Sequence, residues 1–251
     1  IKINIFKMFK IKIPPKKKLS LIHNYFKQYK LFKFLKKDKI TFAPDLNDLY
    51  YIHQFILLNK RMTVLEFGCG WSTAVIKNAL EINKKKYLSK IKRLRKKNCF
   101  ELFTVDNEKK YLAITKNKCK KILGKKSKIN FFYSENKMTT FNDRICSEYM
   151  KLPKINPDFI YLDGPNPEST KGDVRGFNTN HLELMPMSCD ILKIEHFLLP
   201  GTIILSDGRT ANIRFLKLNF QRNWVHIDDT ENDQHILYLN EKSLGKINNQ
   251  I

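Results

Sequence analysis

The chain predicts an α/β fold built on a mostly parallel sheet, and three observations carry the prediction. Short apolar runs recur and stop abruptly at a carboxylate and a turn: Val64-Leu65-Glu66-Phe67-Gly68, Phe103-Thr104-Val105-Asp106, Phe159-Ile160-Tyr161-Leu162-Asp163-Gly164 and Ile203-Ile204-Leu205-Ser206-Asp207-Gly208. Segments with apolar residues at helical spacing lie between them. The chain closes on two short strand-like runs around an Asp/Asn-rich turn. In such an alternation the strands run parallel, and their carboxyl ends share the edge at which open α/β sheets bind ligands. Glu66, Asp106, Asp163 and Asp207 are thereby delivered to one edge. Each belongs to an apolar run, so solvation alone does not explain all four.

Taken in order, Ile1 to Ile13 alternates apolar residues with Lys, which suits a strand or a disordered arm. Pro14-Pro15-Lys16-Lys17-Lys18 marks a hinge. From Ser20 to Lys37, Ile22, Phe26, Tyr29 and Phe32 fall near one helical face, with Lys27, Lys30 and Lys37 elsewhere. Such a stripe either packs on its own domain or lies on an anionic membrane. Residues 1–40 are set apart as a basic extension, 41–244 as the main domain and 245–251 as a tail. Within the main domain, Pro44 to Leu58 and residues 108–122 read as helices, and Lys128 to Tyr133 as the third strand. Residues 138–150, Leu182 to Leu199 and Thr210 to Gln221 read as further helices. Trp224 to Ile227 and His235 to Leu239 read as the closing antiparallel strands.

Composition bounds the class. A chain of 251 residues, 42% hydrophobic, fits one domain with an added segment and a real core. Five cysteines (Cys69, Cys99, Cys119, Cys146 and Cys189) form no C-x-x-C pair, so neither a zinc site nor a disulfide framework is indicated. His23, His53, His196, His226 and His235 show no metal-ligand spacing. No apolar run nears the roughly eighteen residues of a membrane span, and Lys interrupts every N-terminal apolar stretch, against a cleavable leader. These features predict a cytoplasmic protein, with peripheral membrane contact left open.

The net charge is +23, with Lys about five times as frequent as Arg. Surface Lys as compositional filler explains much of this, because phosphate recognition favours the planar fork of Arg. The charge is nonetheless uneven. Residues 1–40 hold one block, and the run Asn83 to Asn98 holds nine Lys or Arg residues. Blocks of this kind can bind nucleic acid or an anionic membrane surface.

The richest segment is Val64-Leu65-Glu66-Phe67-Gly68-Cys69-Gly70-Trp71-Ser72-Thr73. It reads as a strand, a tight glycine turn and a helix start that Ser72 or Thr73 can cap. Such a turn lets a ligand approach bare backbone. Thr73 stands where the dinucleotide fingerprint requires Gly or Ala, and Glu66 would repel a pyrophosphate. A ligand carrying positive charge suits the turn better.

An acid followed by G-x-G resembles motif I of the class I S-adenosylmethionine-dependent methyltransferases, and the resemblance extends in order over about residues 44–241. It implies a Rossmann-like fold, with a mostly parallel seven-stranded sheet and an antiparallel C-terminal hairpin. It implies S-adenosylmethionine as cofactor, held by Glu66, Phe67, Gly68, Cys69, Gly70, Ser72 and Thr73. Asp106 and Asn107 would serve the ribose end, Ser134 and Glu135 the adenine edge, and Asp163 the methionine moiety and acceptor. The spacing from the glycine turn to Asp106 is about twice the usual twenty residues; the excess is the basic run 83–98, read as an extension around the first crossover helix.

Methyl transfer to oxygen needs a proton acceptor or a metal. Asp163 is the first candidate base and His181 the second, although Asp163 also suits the cofactor's ammonium. A magnesium ion between Asp163 and Asp207 is a lesser alternative, because Gly208 and Arg209 follow Asp207 in place of a second oxygen ligand. The polar loop from Gly164 to His181, with Arg175 in it, together with Asp207 and Arg209, is the candidate acceptor site. Its polarity suits a saccharide or another small polar metabolite. No Asn/Asp-Pro-Pro-Tyr/Phe run and no Pro-Cys nucleophile follows the fourth parallel strand, which argues against the usual adenine-amino and cytosine chemistry. An RNA methyltransferase using the basic blocks and an inactive cofactor-binding scaffold remain the alternatives.

Overall fold

The computed structural model describes residues 10–36, 43–124, 127–181 and 183–248. The N-terminal alternation before residue 10, the boundary at 40/41 and the last residues of the tail lie outside them.

Four parallel strand pairings build the sheet. Strands β1 (Thr63–Phe67), β2 (Glu101–Asp106), β3 (Asn130–Tyr133), β6 (Phe159–Leu162) and β7 (Ile203–Asp207) run parallel. Strand β9 (Gln234–Leu239) pairs antiparallel with both β7 and β8 (Trp224–Asp229). The order is β3-β2-β1-β6-β7-β9-β8, so the seven-stranded, mostly parallel sheet with a terminal hairpin is as read from the sequence. All five residues of β1 are buried, as expected of a central parallel strand covered on both faces.

Alternation along the strands divides the core. Val64, Leu102, Phe159, Ile203 and Leu205 face helices α2 (Leu46–Leu58) and α3 (Trp71–Tyr87). Leu65, Phe67, Val105, Ile160, Leu162 and Ile204 face the other layer, which includes α5 (Asp190–Ile194) and α6 (Thr210–Asn219). Helix α4 (Lys109–Leu123) joins β2 to β3. The basic run after Asn83 is the end of α3 and a 3-10 turn at Lys90–Arg93, an extension of the first crossover. One of its lysines has a defined task. Lys96 lies 3.1 Å from buried Asp158, whose carboxylate also accepts from the backbone N–H groups of Met62 and Thr63. That contact ties the entry of β1 to the entry of β6.

The N-terminal stripe is a core element. Helix α1 (Leu19–Gln28) buries Ile22, Tyr25 and Phe26 against Leu49 and Tyr50 of α2 and Val75 of α3. Tyr25 hydrogen-bonds His53, whose other ring nitrogen meets Asn78 at 3.0 Å. Burial pushes the His53 pKa down to about 4, so the ring is neutral in this packing.

Two expected helices are corrected. Residues 138–150 are not helical: β4 (Asn136–Phe141) and β5 (Arg144–Tyr149) form an antiparallel hairpin. Asn142 and Asp143 both take positive φ, +48° and +59°, the two-residue turn that matches strand twist. Met138-Thr139-Thr140-Phe141 also has the β-branched and aromatic residues of a strand. Among the described residues of the span 182–199, only Asp190–Ile194 is α-helical, followed by a 3-10 turn at Glu195–Phe197. Pro186 stands in the expected helix, and the backbone beyond it pairs with the hairpin instead. Ser147 N–H donates to Met187 O at 2.8 Å, and Cys189 N–H to Ser147 O at 2.9 Å.

Candidate active site

The turn after β1 is packed backbone to backbone against the turn after β6. Asp163 N–H donates to Phe67 O at 2.9 Å. Gly68 has φ +84°, and a Cβ there would lie 2.8 Å from the Asp163 carbonyl carbon. A Cβ on Gly164 would lie 2.4 Å from Gly68 N. Gly70 differs: a Cβ there meets nothing within 4 Å, so its face of the turn opens onto free space.

Glu66 lies beneath this turn. It is fully buried, and its two oxygens accept from Ser72 Oγ at 2.6 Å and Thr73 Oγ1 at 2.8 Å. Gly70 is the residue at the N-cap of α3, and Thr73 Oγ1, besides donating to Glu66, accepts from Gly70 N–H at 3.1 Å, so Thr73 caps the helix start from its third position. Burial raises the Glu66 pKa to about 7 against the pull of these donors. Phe67 also turns inward. Its ring stacks on Tyr149 at 5.8 Å in the core, leaving its carbonyl to the site.

Asp106 stands at the end of β2, nearly buried. One oxygen accepts from Cys69 N–H at 2.9 Å and the other from Glu108 N–H at 2.7 Å. Burial raises its pKa, and the two N–H groups oppose that rise. The carboxylate thus links the glycine turn to the entry of α4. Asn107 makes a reciprocal pair with Asn166: its Nδ2 donates to Asn166 O, and Asn166 N–H donates to its Oδ1, both at 3.0 Å. Since β1 lies between β2 and β6, this pair straps the post-β6 loop across the end of β1. Glu108 reinforces the strap by accepting from Asn166 and Ser169.

Beside the strap an open cleft of about 540 Å³ runs between Asn107, Lys109 and Tyr133 on one side and Ser169, Lys171 and Asn180 on the other. The Lys109 ammonium stands 4.6 Å from the Tyr133 ring centre. Ser134 is buried behind this wall, its Oγ accepting from Lys151 N–H at 2.8 Å. Glu135 is spent on an exposed ion pair with Lys171 at 2.8 Å, which lowers its pKa.

Asp163 is 55% exposed at its side chain. The protein walls around it raise its pKa to about 6; Asp207 and Asp106 add to the rise and Arg209 opposes it. The exposed tip keeps that carboxyl accessible to a ligand. Arg209 donates to the carbonyls of Asp163 and Pro165, at 2.5 Å and 3.1 Å, with Nε 3.9 Å from Asp163 Oδ1. A guanidinium therefore occupies the place of a counter-charge between β6 and β7. Among the described residues no three His, Cys, Asp or Glu side chains converge as metal ligands; Asp163 and Asp207 alone would leave most of a magnesium ion's shell to water.

The loop candidates lie on exposed surface. His181 is exposed, and its backbone carbonyl accepts from Leu184 N–H. Arg175 is exposed at the tip of a two-residue turn, φ +57°, closed by the Val174–Phe177 pairing. Asp207 instead meets a residue that motif reasoning did not select. Asp48, in the first turn of α2, shares a hydrogen bond with it, and burial and Asp207 raise the Asp48 pKa. An acid in a helix's first turn has a sufficient local explanation in the helix dipole, so nothing in the sequence marked it.

No protein-family model and no curated protein matches the chain. Solved structures do. The S-adenosylhomocysteine-bound methyltransferase PaMTH1 of Podospora anserina is 13% identical with TM-score 0.50, covering 92% of this chain and 91% of its own. The O-methyltransferase of Bacillus cereus, in complex with S-adenosylhomocysteine, is 13% identical over 90% of this chain and 92% of its own, with TM-score 0.44. The strand order, the glycine turn after β1 and the likeness to PaMTH1 together show that this chain has the fold of the class I S-adenosylmethionine-dependent methyltransferases.

Proposed function

We propose that the chain is an S-adenosylmethionine-dependent methyltransferase that methylates oxygen on a saccharide or another small polar acceptor. The observation that carries this is the open face of Gly70 beside Asp106, on a turn where Gly68 and Gly164 are sterically locked and Gly70 is not. Bare backbone at Gly70, the Asp106 carboxylate and the polar cleft at Asn107 and Tyr133 would hold a cationic nucleoside, whose activated methyl group supplies the chemistry. Glu66 contributes from below, by fixing the turn through Ser72 and Thr73. Ser134 supports the wall of the cleft. Glu135 can contact a ligand only by releasing Lys171.

Asp163 is the acceptor-side base of this reading. Its raised pKa keeps it a competent proton acceptor near neutrality, and its exposed tip can reach an acceptor hydroxyl. Arg209 positions it through the Asp163 and Pro165 carbonyls. Arg175 and His181 can serve an acceptor only from the loop's exposed surface.

A small acceptor suits the charge layout better than RNA. A crossover helix runs antiparallel to its strands, so Lys84, Lys85, Lys86 and the basic residues up to Lys97 lie toward the amino edge of the sheet, opposite Asp163. A polyanion held there would not be presented to the site. The stripe of α1 at Ile22, Tyr25 and Phe26 is packed against α2 and α3, so that face is not free to insert in a membrane.

Calorimetry with S-adenosylmethionine, followed by transfer of labelled methyl to glycan, small-metabolite and RNA fractions, tests the reading. Binding with label on the small polar fraction is expected. Label on RNA would replace the acceptor assignment, and binding without transfer would favour a scaffold.

A further inference from the structure

Asp207 closes β7 and Gln234 opens β9, and the two are partners across the antiparallel pair. Asp48 reaches them from α2: its Oδ1 accepts from Gln234 Nε2 at 3.1 Å, and its carboxyl hydrogen-bonds that of Asp207. Asp45 and Asp233 add negative charge beside the pair. This is an unusual concentration in a chain of net charge +23. Among the described residues no Lys or Arg forms an ion pair with any of these four carboxyls. Arg209, two positions beyond Asp207, is committed to the Asp163 and Pro165 carbonyls.

Gln234 supplies an independent observation. Its side chain is fully buried, its Nε2 is used on Asp48, and its Oε1 has no hydrogen-bond partner among the described residues. Buried polar atoms are rarely left this way. Beyond the Gln234 amide and the hydrogen bond the two carboxyls share, their remaining oxygens face no Lys or Arg ion-pair partner among the described residues, and the buried Gln234 Oε1 has no donor among them. Three N–H donors on one positive charge satisfy such a set, and that is a primary ammonium. A divalent cation would have to complete its shell with water around two carboxyls and a carbonyl, so magnesium is made the competing probe in the test.

We propose that Asp48, Asp207 and Gln234 form a subsite for a protonated primary amine carried by the acceptor. The proposal rests on the methyltransferase reading, because strand register sets Asp207 beside Asp163 at the same edge. It narrows the acceptor to small polar molecules that bear an amine, amino sugars among them.

The test uses ethanolamine and ethylene glycol, which differ by an ammonium in place of a hydroxyl. Each is titrated into the full chain, with and without saturating S-adenosylhomocysteine, while the Gln234 side-chain amide is followed by NMR. That resonance is assigned by its loss in Gln234→Glu. Ethanolamine is expected to move it with half-saturation about tenfold lower than ethylene glycol, the scale of one charge-assisted hydrogen bond. Asp48→Asn is expected to raise the ethanolamine half-saturation by about tenfold on the same grounds and to leave S-adenosylhomocysteine affinity unchanged. Should Asp48→Asn not fold, Asp207→Asn is read in the same way. Equal responses to the two probes, or a response indifferent to the substitution, would overturn the subsite. A response to magnesium chloride at lower concentration than to ethanolamine would overturn it in favour of a divalent cation. Failure of S-adenosylhomocysteine to bind is seen separately and strikes the methyltransferase reading instead.

Discussion

Gly164 and Gly68 are held to glycine by each other's backbone, whereas Gly70 is free of that constraint. The pair of contrasts is testable at single residues. Gly164→Ala forces a Cβ onto backbone and should cost at least about 1–3 kcal/mol in urea denaturation, the scale of overpacking. Gly70→Ala should change stability by less than about 1 kcal/mol yet weaken S-adenosylmethionine binding measured by calorimetry. A Gly70 variant that binds the cofactor normally would remove the central support for the proposed function.

Glu66 makes a second prediction at this scale. Its folded pKa, about 7, stands above its ordinary value of 4.5. Between those values the folded chain keeps a proton that the unfolded chain has lost, so stability falls as pH rises through this window. The fall is at most about 3 kcal/mol for such a shift. Asp190, buried where its carboxylate meets Tyr149 N–H and Ser188 Oγ, is raised to about 7 and acts in the same direction. Urea midpoints between pH 5 and pH 8 should therefore decline less in Glu66→Gln than in the unaltered chain; parallel curves would refute the assignment.

At the scale of elements, the β4–β5 hairpin takes the place where a crossover helix was expected, and its turn decides it. Asn142 and Asp143 tolerate left-handed backbone because their short polar side chains bond locally. Asp143→Val should destabilise by about 1–2 kcal/mol, and Asp143→Gly should be neutral or stabilising. If both variants melt with the unaltered chain, the turn does not govern the hairpin. Helix α1 gives the complementary case. Its stripe at Ile22 and Phe26 was open to two readings in the sequence, a membrane face or a packing face, and burial of Phe26 at 0% exposure selects the second. Phe26→Ala should cost about 3–5 kcal/mol, as for other buried aromatic truncations. Liposome binding with unaltered stability would contradict that.

The whole molecule separates its charges. Carboxylates collect at the carboxyl edge of the sheet, and residues 82–100 contain no Asp or Glu at all. Binding of heparin or RNA should therefore depend on the amino edge. Replacing Lys84, Lys85 and Lys86 with Glu should weaken it and lower the slope against salt by roughly one unit per lost phosphate contact, with cofactor affinity unchanged. Cofactor loss in that variant would mean that the two edges are not separate.

The sequence by itself determined the sheet, its order of elements and the acids at its edge, because strand periodicity, abrupt carboxylate ends and glycine turns are local signals. The inward aim of Phe67, the burial of Glu66 under hydroxyls six and seven positions away and the hairpin at 136–149 were decided only by tertiary packing. So was the meeting of Asp48 with Asp207 and Gln234. Those partners are separated by up to 186 positions. No local pattern encodes a contact that forms only when a helix preceding the sheet closes over its last added strand.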